Sequence, residues 1–270
     1  MFFPDIPNVS LVAFYGNKPS PLKLFLNQLQ EQLANIPVLQ NKFFPYSLEQ
    51  SHCTVIGCEG LATELGIVSK WFYTNRKEIK YIRISDFINY LTQWHIPRNI
   101  LLETSTKSNL FPLTIRFGGY KINQDYNFLS RNLHPCLRSF QLQVLNKNTI
   151  IPVLVGWSIQ ENHITLDIEN FRQQAQKFNL LHKYHHHSES IDNDFYLRLG
   201  TIKGQFEPDL LATIEAKIRN SLQTILSTTI VLQPENIAFV RYQDLSLSLE
   251  TTKVIPLTEI TEQKLIELYC

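Results

Sequence analysis

Net charge is the first thing this chain has little of. In 270 residues, 25 Lys and Arg stand against 24 Asp and Glu, a formal +1. A protein that binds nucleic acid along its surface, or an acidic membrane, carries a marked basic excess, so the balance argues against that class while leaving room for a small basic pocket. No stretch reaches the roughly 18 uninterrupted apolar residues of a spanning helix. The opening MFFPDIPNVS has no basic segment and puts an acid and two prolines where a signal peptide is apolar, so no secretory leader is expected. Four cysteines (Cys53, Cys58, Cys136, Cys270) form no CxxC and no disulfide-rich spacing, which predicts reduced thiols and a cytoplasmic setting. Gly118-Gly119 lacks the lysine and serine of a phosphate loop, and no nucleophile-elbow pattern assembles a serine hydrolase triad.

What is present reads as a folded protein: 44% hydrophobic and 18% charged residues, on a length suited to one large domain or two modest lobes. Val9–Gly16 reads as a strand, and Pro21–Ala34 as a helix carrying Leu22, Phe25, Leu26, Leu29 and Leu33 at helical spacing. The run Ser51–Cys58 (SHCTVIGC) is β-branched, short and closed by Gly60, hence a strand. Leu61–Tyr73 suggests a helix, and Tyr81–Leu91 a strand pair or a strand and turn. The second half repeats the order. Ile151–Ser158 is a strand and Leu166–Leu181 a helix. A polar loop (HHHSESIDND) then precedes the strand Phe195–Ile202, Gly204, the helix Pro208–Leu226 and the strand material Ile237–Leu249. Between the repeats, Leu113–Phe117 and Phe140–Val144 add strands, and a hairpin through Asn146-Lys147-Asn148 joins Phe140–Leu145 to Ile150–Val155. The repeat offset is about 144 residues, Tyr196 and Gly204 standing where His52 and Gly60 stand in the first half.

Successive strand side chains point to opposite faces, so His52 and Thr54 share one face while Cys53 and Val55 share the apolar one. In the matched strand, Phe195, Leu197 and Leu199 must face the core, which turns Tyr196 and Arg198 the other way. A histidine beside a hydroxyl on a polar strand face can move a proton near neutral pH and bind an anionic oxygen. A half-exposed strand histidine without function is the competing reading.

A duplicated strand-helix-strand unit with His-x-Thr-apolar on an inner strand resembles the two-histidine (2H) phosphoesterase superfamily, the LigT-like and cyclic-phosphodiesterase-like proteins. The resemblance covers most of the chain in element order. It rests on SHCTVIG, the mid-chain LTIRFGGY (Leu113–Tyr120), and the closing IAFVRYQDLSLSL with its tail KVIPL. It implies an α+β, bilobal fold, with two pseudo-symmetric lobes that each place an antiparallel sheet flanked by helices against a central groove. Lobe one would hold residues 1–98 and closing strands near 237–256, lobe two residues 99–236. The resemblance further implies a metal-independent, cofactor-free phosphodiesterase for a cyclic nucleotide or an RNA end. In such a protein two histidines serve as base and acid and two hydroxyls hold the phosphate.

The second motif has two candidates. By spelling it is His163-Ile164-Thr165-Leu166, which would make His163 the partner acid/base; by position that segment reads as a helix start with Thr165 or Asp167 as N-cap. By topology it is Tyr196-Leu197-Arg198-Leu199, a departure from the family pattern. Arginine binds phosphate oxygens well, but tyrosine, with an ordinary pKa near 10, is a poor base at neutral pH. Arg116, Arg241 and Tyr242 fall on segments able to line a groove, or are plain surface. His182 and His185–His187 read as a solvated loop rather than a metal cluster. Trp71, Trp94 and Trp157 read as core. The expected partner is therefore a small phosphate ester, nucleotide or RNA terminus, with no membrane. The reading divides between an enzyme and a silent binding module of the same fold.

Overall fold

The computed structural model describes residues 2–5, 7–92 and 111–270; Trp94 lies outside these residues. The elements run β1 (Asn8–Ala13), α1 (Ser20–Ala34), β2 (Phe43–Pro45), β3 (Cys53–Gly57), β4 (Gly60–Thr63), β5 (Gly66–Ser69), α2 (Ile84–Thr92) and β6 (Leu113–Gly118). They continue through α3 (Pro135–Arg138), β7 (Phe140–Asn146), β8 (Thr149–Gln160), β9 (His163–Ile164), α4 (Asp167–Ala175), β10 (Phe195–Arg198) and β11 (Gly200–Lys203). The chain closes with α5 (Pro208–Thr224), β12 (Ser227–Leu232), β13 (Ile237–Tyr242), β14 (Lys253–Pro256) and α6 (Glu262–Glu267). The class is mixed α+β.

Twelve of these strands form one antiparallel sheet whose main path is β12-β6-β8-β10-β3-β1-β13-β14. Its two central strands, β3 and β10, come from opposite halves of the chain and meet through the single pair Leu197–Cys53. Period-2 alternation sorts the faces. Leu11, Cys53, Val55, Phe195, Leu197 and Phe239 enter the main core, where the apolar stripes of α1 and α5 also pack. The opposite face carries Ser10, Val12, Thr54, Tyr196, Arg198 and Tyr242 towards a cavity.

Two segments differ from the sequence reading. Residues 61–73 fold as the hairpin β4-β5 followed by one π turn, not a helix. Gly66, at φ 131°, takes a backbone conformation that a side chain would strain, and Thr63 Oγ1 donates to the Gly66 carbonyl (2.8 Å), closing the turn. Residues 84–92 are the helix α2, because Ile84, Phe87, Ile88 and Leu91 recur at three, four and seven residues and bury one stripe.

Candidate functional site

The site begins where β3 and β10 lie side by side. In the antiparallel register set by Leu197–Cys53, Arg198 falls opposite His52 and Tyr196 opposite Thr54, while Val12 of β1 pairs with Thr54 from the other side. All five border one cavity of about 480 Å³. Trp71, the His182–Tyr184 segment, and Leu245 and Leu247 complete its walls. The DLSLSL stretch expected to be strand turns over the cavity instead, with Asp244 accepting from the Ser246 and Ser248 amides.

His52 sits one residue before β3 and is 5% exposed. Its Nδ1 lies 2.9 Å from the Gln50 carbonyl, so Nδ1 carries the proton and Nε2 is the free acceptor. Burial pushes its pKa down to about 4, outweighing the Gln50 bond, and the cations of Arg198 and Lys18 push it further the same way. Arg198 donates one N–H to the Leu245 carbonyl (2.8 Å) and retains others. Tyr196 differs: the buried Arg138 guanidinium donates to its hydroxyl, and burial together with Asp194 and Asp192 pushes its pKa far up.

Behind this wall lies a buried ionic network. Asp194 accepts from Arg138 Nε and Nη2 (3.0 and 2.8 Å) and from the Trp157 indole (2.9 Å). Arg172 of α4 donates to the carbonyls of Val55 (3.0 Å), Thr54 (3.3 Å), Asp192 (2.6 Å) and Asp194 (3.1 Å). The helix thereby holds the backbone of the strand that bears Thr54. The HHHSESIDND segment is thus a solvated loop only in its middle: His185, Asp192, Asn193 and Asp194 are buried, as is His182 before it, whereas His186, His187, Ser188, Glu189 and Ile191 are exposed. Glu169 accepts from His185 (3.0 Å) and from the Asp192 amide (2.8 Å), which draws the segment against α4.

At the far end of the cavity, Glu59 accepts from the Trp71 indole (2.7 Å) and from the Tyr242 hydroxyl (3.5 Å). Burial pushes this carboxyl above its usual range. Gly57 makes space for it, since a Cβ there would stand 2.1 Å from Glu59 Oε2. Lys70, Lys183, Arg172 and Arg198 border the cavity against Asp5 and Glu59, so cations predominate.

Of the residues singled out by sequence, His52, Thr54, Tyr196, Arg198 and Tyr242 meet here. Three do not border the cavity. His163 is exposed on β9, whose Ile164 pairs with Ile159, and α4 starts just beyond at Asp167 without a side-chain cap. Arg116 stacks 4.7 Å from the Tyr120 ring, and Arg241 borders a small pocket with Leu268 and Tyr269. Trp157 is core, but Trp71 is a cavity wall. Sequence reasoning missed Glu59, Arg172, His182 and Asp192. One signal existed: Arg172 follows Ile168 by four residues, a charge placed on the apolar stripe of its helix. Among the described residues no three of His, Cys, Asp or Glu cluster as metal ligands, and no helix is long and apolar enough to cross a membrane.

No family model and no curated protein matches this chain. Among solved structures, a conserved protein of unknown function from Agrobacterium tumefaciens is similar at 14% identity and a TM-score of 0.43, over 88% of this chain and 82% of that one.

Proposed function

We propose that this protein is 2H-phosphoesterase-like and holds a phosphate ester, a cyclic nucleotide or an RNA end, in the cavity floored by β3 and β10, with binding outweighing turnover. The observation that carries the reading is the convergence of His52, Thr54 and Arg198 on adjacent strands from the two halves of the chain. The strand order supports a duplicated origin. Outward from the β3–β10 seam it runs β1, β13, β14 on one side and β8, β6, β12 on the other, and β1 and β8 hold matching places. On this reading each half is one of two pseudo-symmetric lobes.

The chemistry follows from the groups. Arg198 and the Thr54 hydroxyl supply donors for non-bridging oxygens, the arginine with a planar fork matched to phosphate. Neutral His52 offers Nε2 as acceptor for the proton of an attacking hydroxyl or water. Delivery of a proton to the leaving oxygen falls to Tyr196, whose hydroxyl is held by Arg138 and whose pKa burial drives up. Both proton transfers are thereby weak, since His52, with its pKa pushed down to about 4, is also a poor base near neutral pH, which favours the binding module over the efficient enzyme.

Titration calorimetry with a 2′,3′-cyclic nucleotide tests the reading, alongside a hydrolysis assay of wild type and His52→Ala. Binding by wild type, weakened at least about tenfold in Arg198→Ala through loss of a charge-assisted pair, is the expected result. Absence of binding, or equal affinity in Arg198→Ala, overturns it. Fast hydrolysis abolished by His52→Ala would overturn only the priority of binding over turnover.

A further inference from the structure

His182 and His185 lie in one buried segment and form edge-on contacts with each other at 5.4 Å, yet their hydrogen bonding differs. Both ring nitrogens of His185 have partners, Nε2 facing Glu169 (3.0 Å) and Nδ1 facing Gln176 (3.4 Å). That is the pattern of a histidine serving structure alone. His182 is 4% exposed and borders the cavity. Its Nε2 lies 3.2 Å from Asp192 Oδ2, while its Nδ1 has no partner among the described residues. Buried polar atoms are nearly always paired, so an orphaned nitrogen at a cavity wall calls for a group the chain does not supply.

The tautomer settles that such a group must be a donor. Asp192 faces Arg131 (3.2 Å) and Arg172 (3.6 Å), and its hydrogen bond from His182 with these cations holds it as a carboxylate against the cost of burial. A carboxylate only accepts, so Nε2 carries the proton and Nδ1 presents a lone pair. His52 is arranged in the same way with its nitrogens exchanged: Nδ1–H is tied to the Gln50 carbonyl and Nε2 is left as acceptor. The cavity is thus bordered by two imidazoles that each keep one acceptor nitrogen, His182 Nδ1 being itself buried. A bare anion satisfies the cations and neither nitrogen.

We propose that His182 is a second ligand-reading imidazole of this site, its Nδ1 accepting a hydrogen bond from an O–H or N–H on the organic part of the bound ester, with Asp192 as its positioning residue. The inference rests on the phosphate-ester reading above, and it extends that reading from the phosphate to the sugar or base. It separates esters bearing such a donor from an anion with no proton to give, such as sulfate.

The test compares adenosine 3′-monophosphate with sulfate, an anion that carries no proton at neutral pH, by calorimetry on wild type, His182→Gln and His182→Asn. The glutamine amide keeps an N–H for Asp192 but removes the Nδ1 acceptor; the asparagine carbonyl restores an acceptor near Nδ1. The nucleotide is expected to lose about tenfold in affinity in His182→Gln, the worth of one hydrogen bond to a buried acceptor, and to recover in His182→Asn. Sulfate affinity stays as in wild type in both variants, and the thermal midpoint does so in His182→Gln, which keeps an N–H for Asp192. In ¹⁵N-labelled wild type, the Nδ1 resonance of His182 moves upfield on adding the nucleotide and not on adding sulfate. Unchanged nucleotide affinity in His182→Gln, or an equal loss for both probes, overturns the inference while leaving the phosphate-ester reading intact. Failure of wild type to bind either probe overturns both.

Discussion

Replacing Arg172 isolates the most concentrated set of buried interactions in the molecule. The guanidinium is 1% exposed, gives four hydrogen bonds to backbone carbonyls and lies 3.6 Å from Asp192 Oδ1. Removing one partner of a buried ion pair costs about 3–5 kcal/mol, because the other charge stays buried. Four carbonyls losing a charged donor would add about 1.5–3 kcal/mol each if fully stranded. They are not fully stranded, since Arg172 borders the cavity and water can reach part of the gap. Arg131 also still faces Asp192. We therefore expect Arg172→Met to lose about 4 kcal/mol and Arg172→Lys about 2, the lysine keeping the charge but lacking the fork. Against a typical total of about 5–15 kcal/mol, that is a large share. Urea unfolding followed by circular dichroism and by tryptophan fluorescence should show a lowered midpoint with an unchanged slope. If Arg172→Met stays within about 1 kcal/mol of wild type, the claim that this side chain holds α4 to β3 is wrong.

Three further outcomes follow from the same geometry. His52 and His182 are held neutral, with pKa values pushed down to about 4 and about 3 by burial, so between those values and an ordinary 6.5 the unfolded chain binds more protons. Stability is then fully present above pH about 6.5 and falls as pH drops towards 4, by about 3 kcal/mol for His52 alone; a urea midpoint flat from pH 7 to 5 would refute this. Gly118→Ala should cost about 3 kcal/mol, because φ is +70° and the added Cβ would stand 2.3 Å from the Leu226 carbonyl. A thermal midpoint within two or three degrees of wild type would count against it. His163→Ala should leave nucleotide affinity unchanged, as the side chain is exposed on β9 away from the cavity; a tenfold loss by calorimetry would restore His163 as a site residue.

The two strands that carry the site were legible because alternation holds where the site residues stand: Cys53 and Val55 flank Thr54, and Phe195 and Leu197 flank Tyr196, although β3 breaks it at Ile56, which a bulge against β1 turns into the same core. Helices α1 and α5 were legible for the equivalent reason at period 3.6. Residues 61–73 failed because short apolar runs fit both periods and Gly66 decides between them through a backbone angle that composition does not reveal. The ionic network failed for a deeper reason. His182, Asp192 and Asp194 look like solvated residues until Arg138 and Arg172, which lie far away in sequence, are brought to them. Charge pairing across tens of residues leaves no local periodicity. Trp71 and Glu59 reach the cavity through the β4-β5 hairpin, so the missed hairpin and the missed far wall are one error.

The single Leu197–Cys53 pair between β3 and β10 has a consequence for synthesis at the ribosome. Once residues 8–57 have emerged, β3 finds its partner β1 at hand, but its other edge stays open until Arg172 and residues 195–198 are made. Until then Cys53 lacks its β10 partner and the Thr54 and Val55 carbonyls lack Arg172, beside the apolar Cys53 and Val55, which is the signature of an aggregation-prone edge. Chains arrested or truncated before β10 will therefore self-associate through the strand that, in the finished protein, floors the cavity.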